Sequence, residues 1–317
     1  MKKKNILILG VTGQDGSYLS RYLIEKKNYN IIGVSRRKKV LKNHKLLSIH
    51  NKIIIKYFDY NNYSKLEKLI KKYKISEIYF FSGQNIPKIS NNSVIETLYS
   101  NVIPVYNIID IILKNNKKIK FFNSSSCEVF KKSNYAMNEN SQMSPDSIYG
   151  LSKLISFEIV KFFREKFNLK VCSGIMFHHE SILRNKDFVL KKIIETAKNI
   201  KNKKTQKLYL GDIKVSRDWG WAPEYVKLIH KILNKKKVED FVIATGRTLK
   251  LKTLIKQVFD HHGLDWLKYT KTNNSLLRKF DNRTRIADNS KIKKVLNWNP
   301  KYTAIDVVNN LLNDKLD

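Results

Sequence analysis

What this 317-residue chain has little of already narrows its function. Its two cysteines, Cys127 and Cys172, are too few for a disulfide framework and lack metal-ligand spacing, so neither a disulfide-stapled secreted domain nor a zinc module is expected. A reducing cytoplasm fits instead. No apolar run approaches the roughly 20 residues of a membrane span. The run 6–9 after Lys2, Lys3 and Lys4 stops at Gly10, with Asp15 close behind, so it reads as a buried strand and not as a signal segment. Low-complexity linkers, internal repeats and heptad runs are also missing. Acidic residues are scarce, 27 against 62 Lys and Arg, which leaves a formal charge of +35. That balance invites a polyanion partner. The lysines are scattered, however, in groups such as Lys71 and Lys72, Lys117 and Lys118, or Lys235 to Lys237, mostly at element ends and in loops. No basic stripe interleaves with aromatics. The chain is rich in Asn, Ile, Tyr and Phe, residues with AT-rich codons, and coding composition explains the lysine excess more simply. We therefore expect neither nucleic acid nor membrane as a partner.

What is present is alternation. Short apolar runs at 5–9, 30–35, 53–57, 77–81, 120–124 and 170–176 read as strands, with helical segments at 17–26, 64–72, 102–114 and 149–167 between them. Short, continuously apolar strands separated by helices are the pattern of a parallel sheet covered on both faces. The expected fold class is α/β, a Rossmann-type doubly wound parallel sheet with a smaller C-terminal α/β substrate-binding lobe. Residues 1–176, with a returning strand at about 239–246, form the expected Rossmann domain. Residues 177–238 and 247–317 form the expected lobe.

The first strand runs directly into Gly10-Val11-Thr12-Gly13-Gln14-Asp15-Gly16 and then a helix. Glycines at this spacing let a backbone approach a pyrophosphate, while the helix N-terminus directs positive partial charge at it. Gly10, Thr12, Gly13, Gln14, Asp15 and Gly16 are therefore candidate cofactor residues. The second strand ends in Arg36 and Arg37, where an NAD-preferring site usually carries an acid for the ribose 2′-hydroxyl. Two arginines suit a 2′-phosphate, hence NADP rather than NAD. Asp59 and Tyr60, after the third strand, are placed to touch the adenine, although Asp59 could equally cap the next helix.

Ser126 and Glu128 follow the fifth strand, and Tyr149 and Lys153 lie four apart on the next long helix. Four-residue spacing puts the phenol and the amine on one helix face. An ammonium beside a phenol favours the phenolate, which can take a proton from an alcohol. Ser126 is the oxyanion partner. Glu128 adds a carboxylate able to remove a proton from carbon, which simple alcohol oxidation does not need.

With these elements in place, the chain resembles the extended short-chain dehydrogenase/reductase family and, within it, the GDP-mannose 4,6-dehydratases. The matching blocks are GVTGQDGSYL at 10–19, SRR at 35–37, SSCE at 125–128, YGLSK at 149–153, HES at 179–181, LYLG at 208–211, RDWG at 217–220 and FVIATG at 241–246. The resemblance implies a nucleotide-diphosphate hexose as substrate and a nicotinamide cofactor regenerated within each turnover. It implies that Tyr149 deprotonates the C4 hydroxyl, Ser126 hydrogen-bonds the forming carbonyl, and Lys153 holds the phenolate and the cofactor ribose. Glu128 then removes the C5 proton and water leaves from C6. By the same carry-over, Ser82, Gly83, Gln84, His179 and Arg184 join the cofactor site. His178, Arg217, Arg278 and Asp281 contact the substrate. Relatives pair through the helices after the fourth strand and at Tyr149, so a homodimer or homotetramer is expected.

The chain also departs from the pattern. The family's NHESPRRG block reads HHESILRN at 178–185, with His178 in place of the asparagine and Leu183 in place of the first arginine. Cys127 stands where related dTDP-glucose dehydratases carry aspartate. A modified pocket on the same chemistry follows, for a GDP-hexose or a relative such as a GDP-heptose. Two other readings stay open: a C4 oxidoreductase, epimerase or 4-keto reductase in which Glu128 is idle, and a non-catalytic NADP-binding protein.

Overall fold

The computed structural model describes residues 3–36, 42–84, 93–277 and 283–317. In chain order come β1 (Lys4–Leu9), α1 (Gln14–Glu25), β2 (Tyr29–Ser35), α2 (Lys42–Leu46), β3 (Ile54–Tyr57), α3 (Tyr63–Lys72), β4 (Glu77–Phe80), α4 (Val94–Asn101), α5 (Ile103–Asn115), β5 (Lys120–Ser126), α6 (Ile148–Phe167) and β6 (Val171–Met176). There follow β7 (His178–Glu180), α7 (Val189–Lys201), β8 (Leu208–Leu210), β9 (Ser216–Trp221), α8 (Ala222–Leu233), β10 (Phe241–Ile243), β11 (Thr248–Lys250), α9 (Leu251–His261), α10 (Trp266–Tyr269), β12 (Thr270–Thr272), α11 (Ser290–Leu296) and α12 (Ala304–Leu312). Packing divides the chain into two compact units. The first holds Met1–Lys131, Glu139–Met176 and Tyr225–Ile243; the second holds Lys132–Asn138, Phe177–Glu224 and Ala244–Asp317.

The first unit is a seven-stranded sheet in the order β10-β6-β5-β4-β1-β2-β3, parallel at every junction. Leu7 sits opposite Ile32 on one side and Ile78 on the other, and all three are buried. Helices on the sheet bury Leu66, Ile108, Ile112 and Val160 against it, which is why these strands read as continuous apolar runs. Chain order reverses between β1 and β4. In open α/β sheets, ligands bind outside the carboxyl ends of the strands at such a switch point.

Tyr225–Ile243 belong to the first unit, a longer return than the single strand expected at about 239–246. The physical reason is a buried polar cluster. The His230 ring lies 3.2 Å from the Tyr29 hydroxyl and 2.9 Å from that of Tyr79. Asn234 donates to the Glu77 carboxylate at 3.1 Å and accepts from the Lys120 ammonium at 2.8 Å. The Asn234 bond reaches Oε2 of a carboxylate that is almost wholly shielded from water.

The second unit carries a three-stranded sheet, β11-β9-β7, and a two-stranded one, β12-β8. β7 and β9 run parallel, while β9 and β11 run antiparallel. Its core gathers Leu190, Leu208, Trp219, Leu254, Phe259 and Val307. A capping box between Thr303 and Asp306 starts α12. Among the described residues, no helix is long and apolar enough to cross a membrane.

Candidate active site

Two glycines of the loop after β1 have a steric reason. Gly10 has φ +84°, and a Cβ there would lie 3.0 Å from the backbone of Phe81 and Ser82, the segment leaving β4. A Cβ on Gly16 would lie 2.3 Å from the Gly10 carbonyl oxygen. Gly13 is the N-cap of α1 and supplies no side-chain cap, so glycines and the amides of the first turn form the cradle. A phosphate suits that cradle on steric and electrostatic grounds.

Beside it, Tyr60 is buried, and its hydroxyl accepts a hydrogen bond from Ser82 Oγ at 2.6 Å. The exposed Arg36 guanidinium lies 5.4 Å from the Tyr60 ring centre. Burial raises the Tyr60 phenol above its ordinary value, so it stays neutral. Asp59 is exposed and accepts from the Asn61 amide at 3.0 Å. The capping of α3 is done by Asn62, which accepts from the Lys65 amide. Arg37 lies outside the described residues.

The catalytic candidates converge at the end of β5. Ser126 Oγ accepts from the Glu128 amide at 3.2 Å and caps the 3-10 turn Cys127–Val129. With the backbone on its acceptor side, the hydroxyl can donate outward to a developing carbonyl oxygen. Lys153 is buried, and its ammonium donates to the Ser124 carbonyl at 2.8 Å, 5.9 Å from the Tyr149 ring centre. Burial lowers the Lys153 ammonium to about 8. Ser147 caps α6 by accepting from the Gly150 amide at 3.0 Å. A Cβ on Gly150 would lie 2.5 Å from the Glu128 carbonyl oxygen, so the start of the Tyr149 helix packs directly on the Glu128 backbone. Cys127 beside it is buried and forms no disulfide.

Two residues that the sequence reading did not single out hold this arrangement. Asn101, fully buried at the end of α4, donates to the Gln84 carbonyl at 3.1 Å and to Ser152 Oγ at 2.8 Å. Ser152 in turn donates to the Tyr149 carbonyl at 2.8 Å. Asn101 thus ties the loop Ser82, Gly83, Gln84 to α6. A Cβ on Gly83, which has φ +118°, would fall 1.8 Å from Asn101 Oδ1. The second is Gly150. Each left one signal: a lone amide where two apolar helices meet, and a glycine inside a helix directly after Tyr149.

The other predicted residues belong to the second unit. His179 Nδ1 donates to the Phe177 carbonyl at 2.8 Å, and the His178 ring lies 6.4 Å from that of Trp219. Arg184 stacks 3.6 Å from the Phe188 ring centre and lies 3.5 Å from the Glu180 carboxylate. Arg217 is buried and donates to the carbonyls of Ser216 and Arg283. Its neighbour Asp218 points to the opposite face of β9, where it accepts from the amides of Thr245 and Arg247 at 2.9 and 3.1 Å. Burial raises its carboxyl to about 6 against those stabilising amides. Arg278 and Asp281 lie outside the described residues.

The family model for GDP-mannose 4,6 dehydratase matches residues 7–311. GDP-mannose 4,6 dehydratase 1 of Arabidopsis thaliana is 30% identical over 327 residues, covering 99% of this chain and 90% of the plant protein. Among solved structures, the dTDP-glucose 4,6-dehydratase of Bacillus anthracis in complex with NAD has a TM-score of 0.85 at 21% identity, covering 98% of this chain and 96% of that one. The UDP-glucose 4-epimerase of Thermotoga maritima with UDP-glucose has a TM-score of 0.86, also at 21% identity, covering 98% of both chains. At those identities the structural likeness speaks for the fold alone. The family match spans nearly the whole chain, and with it the protein belongs to the GDP-mannose 4,6-dehydratase family, on the Rossmann-like fold of the extended short-chain dehydrogenase/reductases.

Proposed function

We propose that the protein is a cytoplasmic nucleotide-sugar 4,6-dehydratase that takes a GDP-hexose, GDP-mannose or a close relative such as a GDP-heptose, to its 4-keto-6-deoxy product with NADP as cofactor. The observation that carries this reading is the placement of Glu128. The Glu128 backbone packs on the start of the Tyr149 helix, and this supports reading its carboxylate as the base for elimination, which alcohol oxidation alone does not need.

The glycine cradle and the uncapped start of α1 support a dinucleotide pyrophosphate held by Gly10, Thr12, Gly13, Gln14, Asp15 and Gly16. Arg36 above Tyr60, with Arg37 next to it in sequence, supports a 2′-phosphate and hence NADP. Bound there, the nicotinamide ring supplies a reversible two-electron acceptor. Tyr149 removes the proton of the C4 hydroxyl as the carbon is oxidised, and the Lys153 ammonium stabilises the phenolate. Ser126 donates to the new carbonyl oxygen. The 4-ketone acidifies the C5 proton, which Glu128 takes. The C6 hydroxyl leaves as water, the two electrons removed at C4 return at C6, and a proton matching the one Tyr149 took from the C4 hydroxyl is returned at C5, so no outside oxidant is consumed. Cys127 is a weak acid beside Glu128, so Glu128 also delivers the proton that the leaving hydroxyl needs.

Arg217 and Arg278 take the substrate diphosphate in this reading, His178 and Asp281 meet the nucleotide, and His179 and Arg184 border the cofactor. Assembly as a homodimer or homotetramer is supported by exposed apolar side chains on α4, α5 and α6, among them Ile95, Tyr99, Tyr106 and Phe162.

Mass spectrometry of products from a panel of GDP-, dTDP-, UDP- and CDP-sugars tests the proposal. Loss of one water from a GDP-hexose is expected. An oxidised or epimerised product of unchanged carbon oxygenation points to the C4 oxidoreductases, and no product from any sugar points to a non-catalytic NADP-binding protein.

A further inference from the structure

A loop that grips phosphate through its amides must keep its carbonyl oxygens turned away, because those oxygens repel the anion. Each trans peptide is planar, so anchoring a carbonyl on one side aims the next amide to the other. In the loop after β1, three consecutive carbonyls are anchored. Gly10 O accepts from the Gly13 amide at 3.0 Å. Thr12 O accepts from Asn43 Nδ2 at 3.0 Å, and Val11 O lies 2.7 Å from His44 Nε2 and 3.2 Å from Ser17 Oγ. Asn43 and His44 are neighbours on α2.

A carbonyl oxygen only accepts, so the hydrogen sits on His44 Nε2, leaving a lone pair on Nδ1. His44 is fully buried, and Nδ1 has no hydrogen-bond partner. An apolar ring of similar size would fill the space without burying an unpaired nitrogen. Packing alone therefore disfavours histidine here. The bond to Val11 is what the imidazole contributes, and burial lowers its pKa, which keeps it in the neutral form that the bond requires.

We propose that His44, with Asn43, is a positioning residue for the dinucleotide pyrophosphate. By holding the Val11 and Thr12 carbonyls it fixes the two peptide planes at the centre of the loop and aims the Thr12 amide at the phosphate. The inference rests on the dinucleotide reading above.

The test is ligand binding by the full chain, with three probes: NADP, ADP, which keeps a pyrophosphate, and adenosine 2′-monophosphate, which has none. His44→Phe keeps the ring and removes the donor. It should weaken NADP and ADP about tenfold and leave adenosine 2′-monophosphate within about twofold, with His44→Gln restoring most of the loss through its amide donor. A structural role alone would lower the melting temperature and weaken all three ligands together. His44→Phe that binds NADP and ADP as wild type does, or loses all three equally, overturns the inference. Asn43→Ala, on the partly exposed face of the same helix, answers the question if His44→Phe does not fold. It should weaken ADP about threefold with adenosine 2′-monophosphate unchanged, and unchanged ADP affinity counts against the proposal. Wild-type protein that binds neither NADP nor NAD overturns the dinucleotide reading and this inference with it, whereas wild-type binding beside an unaffected His44→Phe overturns the inference alone.

Discussion

A Cβ on Gly150 would lie 2.5 Å from the carbonyl oxygen of Glu128 and 2.7 Å from Cβ of Pro145. The nearest obstacle is backbone, which cannot swing aside as a side chain can. Gly150→Ala should therefore push the start of α6, with Tyr149, away from Glu128. We expect kcat/KM to fall about tenfold or more, equivalent to roughly 1.4 kcal/mol of transition-state stabilisation. In an unhindered helix the same change is stabilising by about 0.5–1 kcal/mol. Steady-state kinetics together with thermal unfolding checks this, and full activity with raised stability would refute it.

Glu128→Gln keeps the shape of the side chain and removes its basicity. Oxidation at C4 should still proceed, because Ser126, Tyr149 and Lys153 are untouched, while elimination stalls. Turnover should drop by about 10²–10⁴, with reduced cofactor accumulating to the level of the enzyme in near-ultraviolet absorbance. Persistent full turnover would show that Glu128 is idle and return the protein to the C4 oxidoreductases.

Burial brings the Lys153 ammonium down to about 8, within reach of ordinary assays. In the proposed mechanism its positive charge supports the Tyr149 phenolate, so losing the proton should slow proton removal from the substrate. The profile of kcat/KM against pH, which reports free-enzyme groups, should fall above about pH 8. In Lys153→Arg, whose guanidinium does not titrate there, residual activity should hold through that range. An alkaline limb left in place in the variant would assign it to another group.

Asp218 should give the second unit an unusual pH dependence. Its carboxyl is raised to about 6 in the folded protein, against an ordinary value of 3.8, with burial as the first cause. Between those values the folded state holds a proton that the unfolded chain has lost. The stability it contributes is fully present below about 3.8 and is lost as pH rises through about 6. Two units correspond to about 3 kcal/mol at most. Urea unfolding of wild type and Asp218→Asn at pH 4.5 and pH 7 measures it. The wild type's advantage over the variant should be larger at the lower pH, and an equal difference at both would disprove the assignment.

The exposed apolar side chains of α4 and α5 predict self-association. Ile95 is 83% exposed and Tyr106 is 47% exposed. Sedimentation should give a dimer or tetramer mass for wild type. A Tyr106→Lys, Ile95→Lys double variant should shift it toward monomer with its circular dichroism unchanged. A monomeric wild type would end the idea.

Much of the fold was legible because parallel strands buried on both faces leave continuous apolar runs, and β1, β2, β4, β5 and β6 lie within two residues of where those runs stand, as does the largely exposed edge strand β3. The site was legible where its logic is local. Tyr149 and Lys153 share a face because a helix turns every 3.6 residues, and the glycines after β1 stand at turn spacing. The placement of α8 was not legible. It joins the first unit through bonds from His230 and Asn234 to residues more than a hundred positions away, such as Tyr79 and Lys120. Neither was the choice of Asn62 over Asp59 as the cap of α3, which depends on where the backbone turns.

By itself, then, the sequence determined which chemical groups the protein carries and their order along strand and helix, since backbone geometry converts short spacings into shared faces. Only the tertiary structure decided what restrains those groups. Gly150 against Glu128, Asn101 between Gln84 and Ser152, and His44 on the Val11 carbonyl are contacts across 17 to 51 positions. No local propensity encodes such contacts. They exist because the packing of the sheet and its helices brings those backbones within hydrogen-bonding or van der Waals reach.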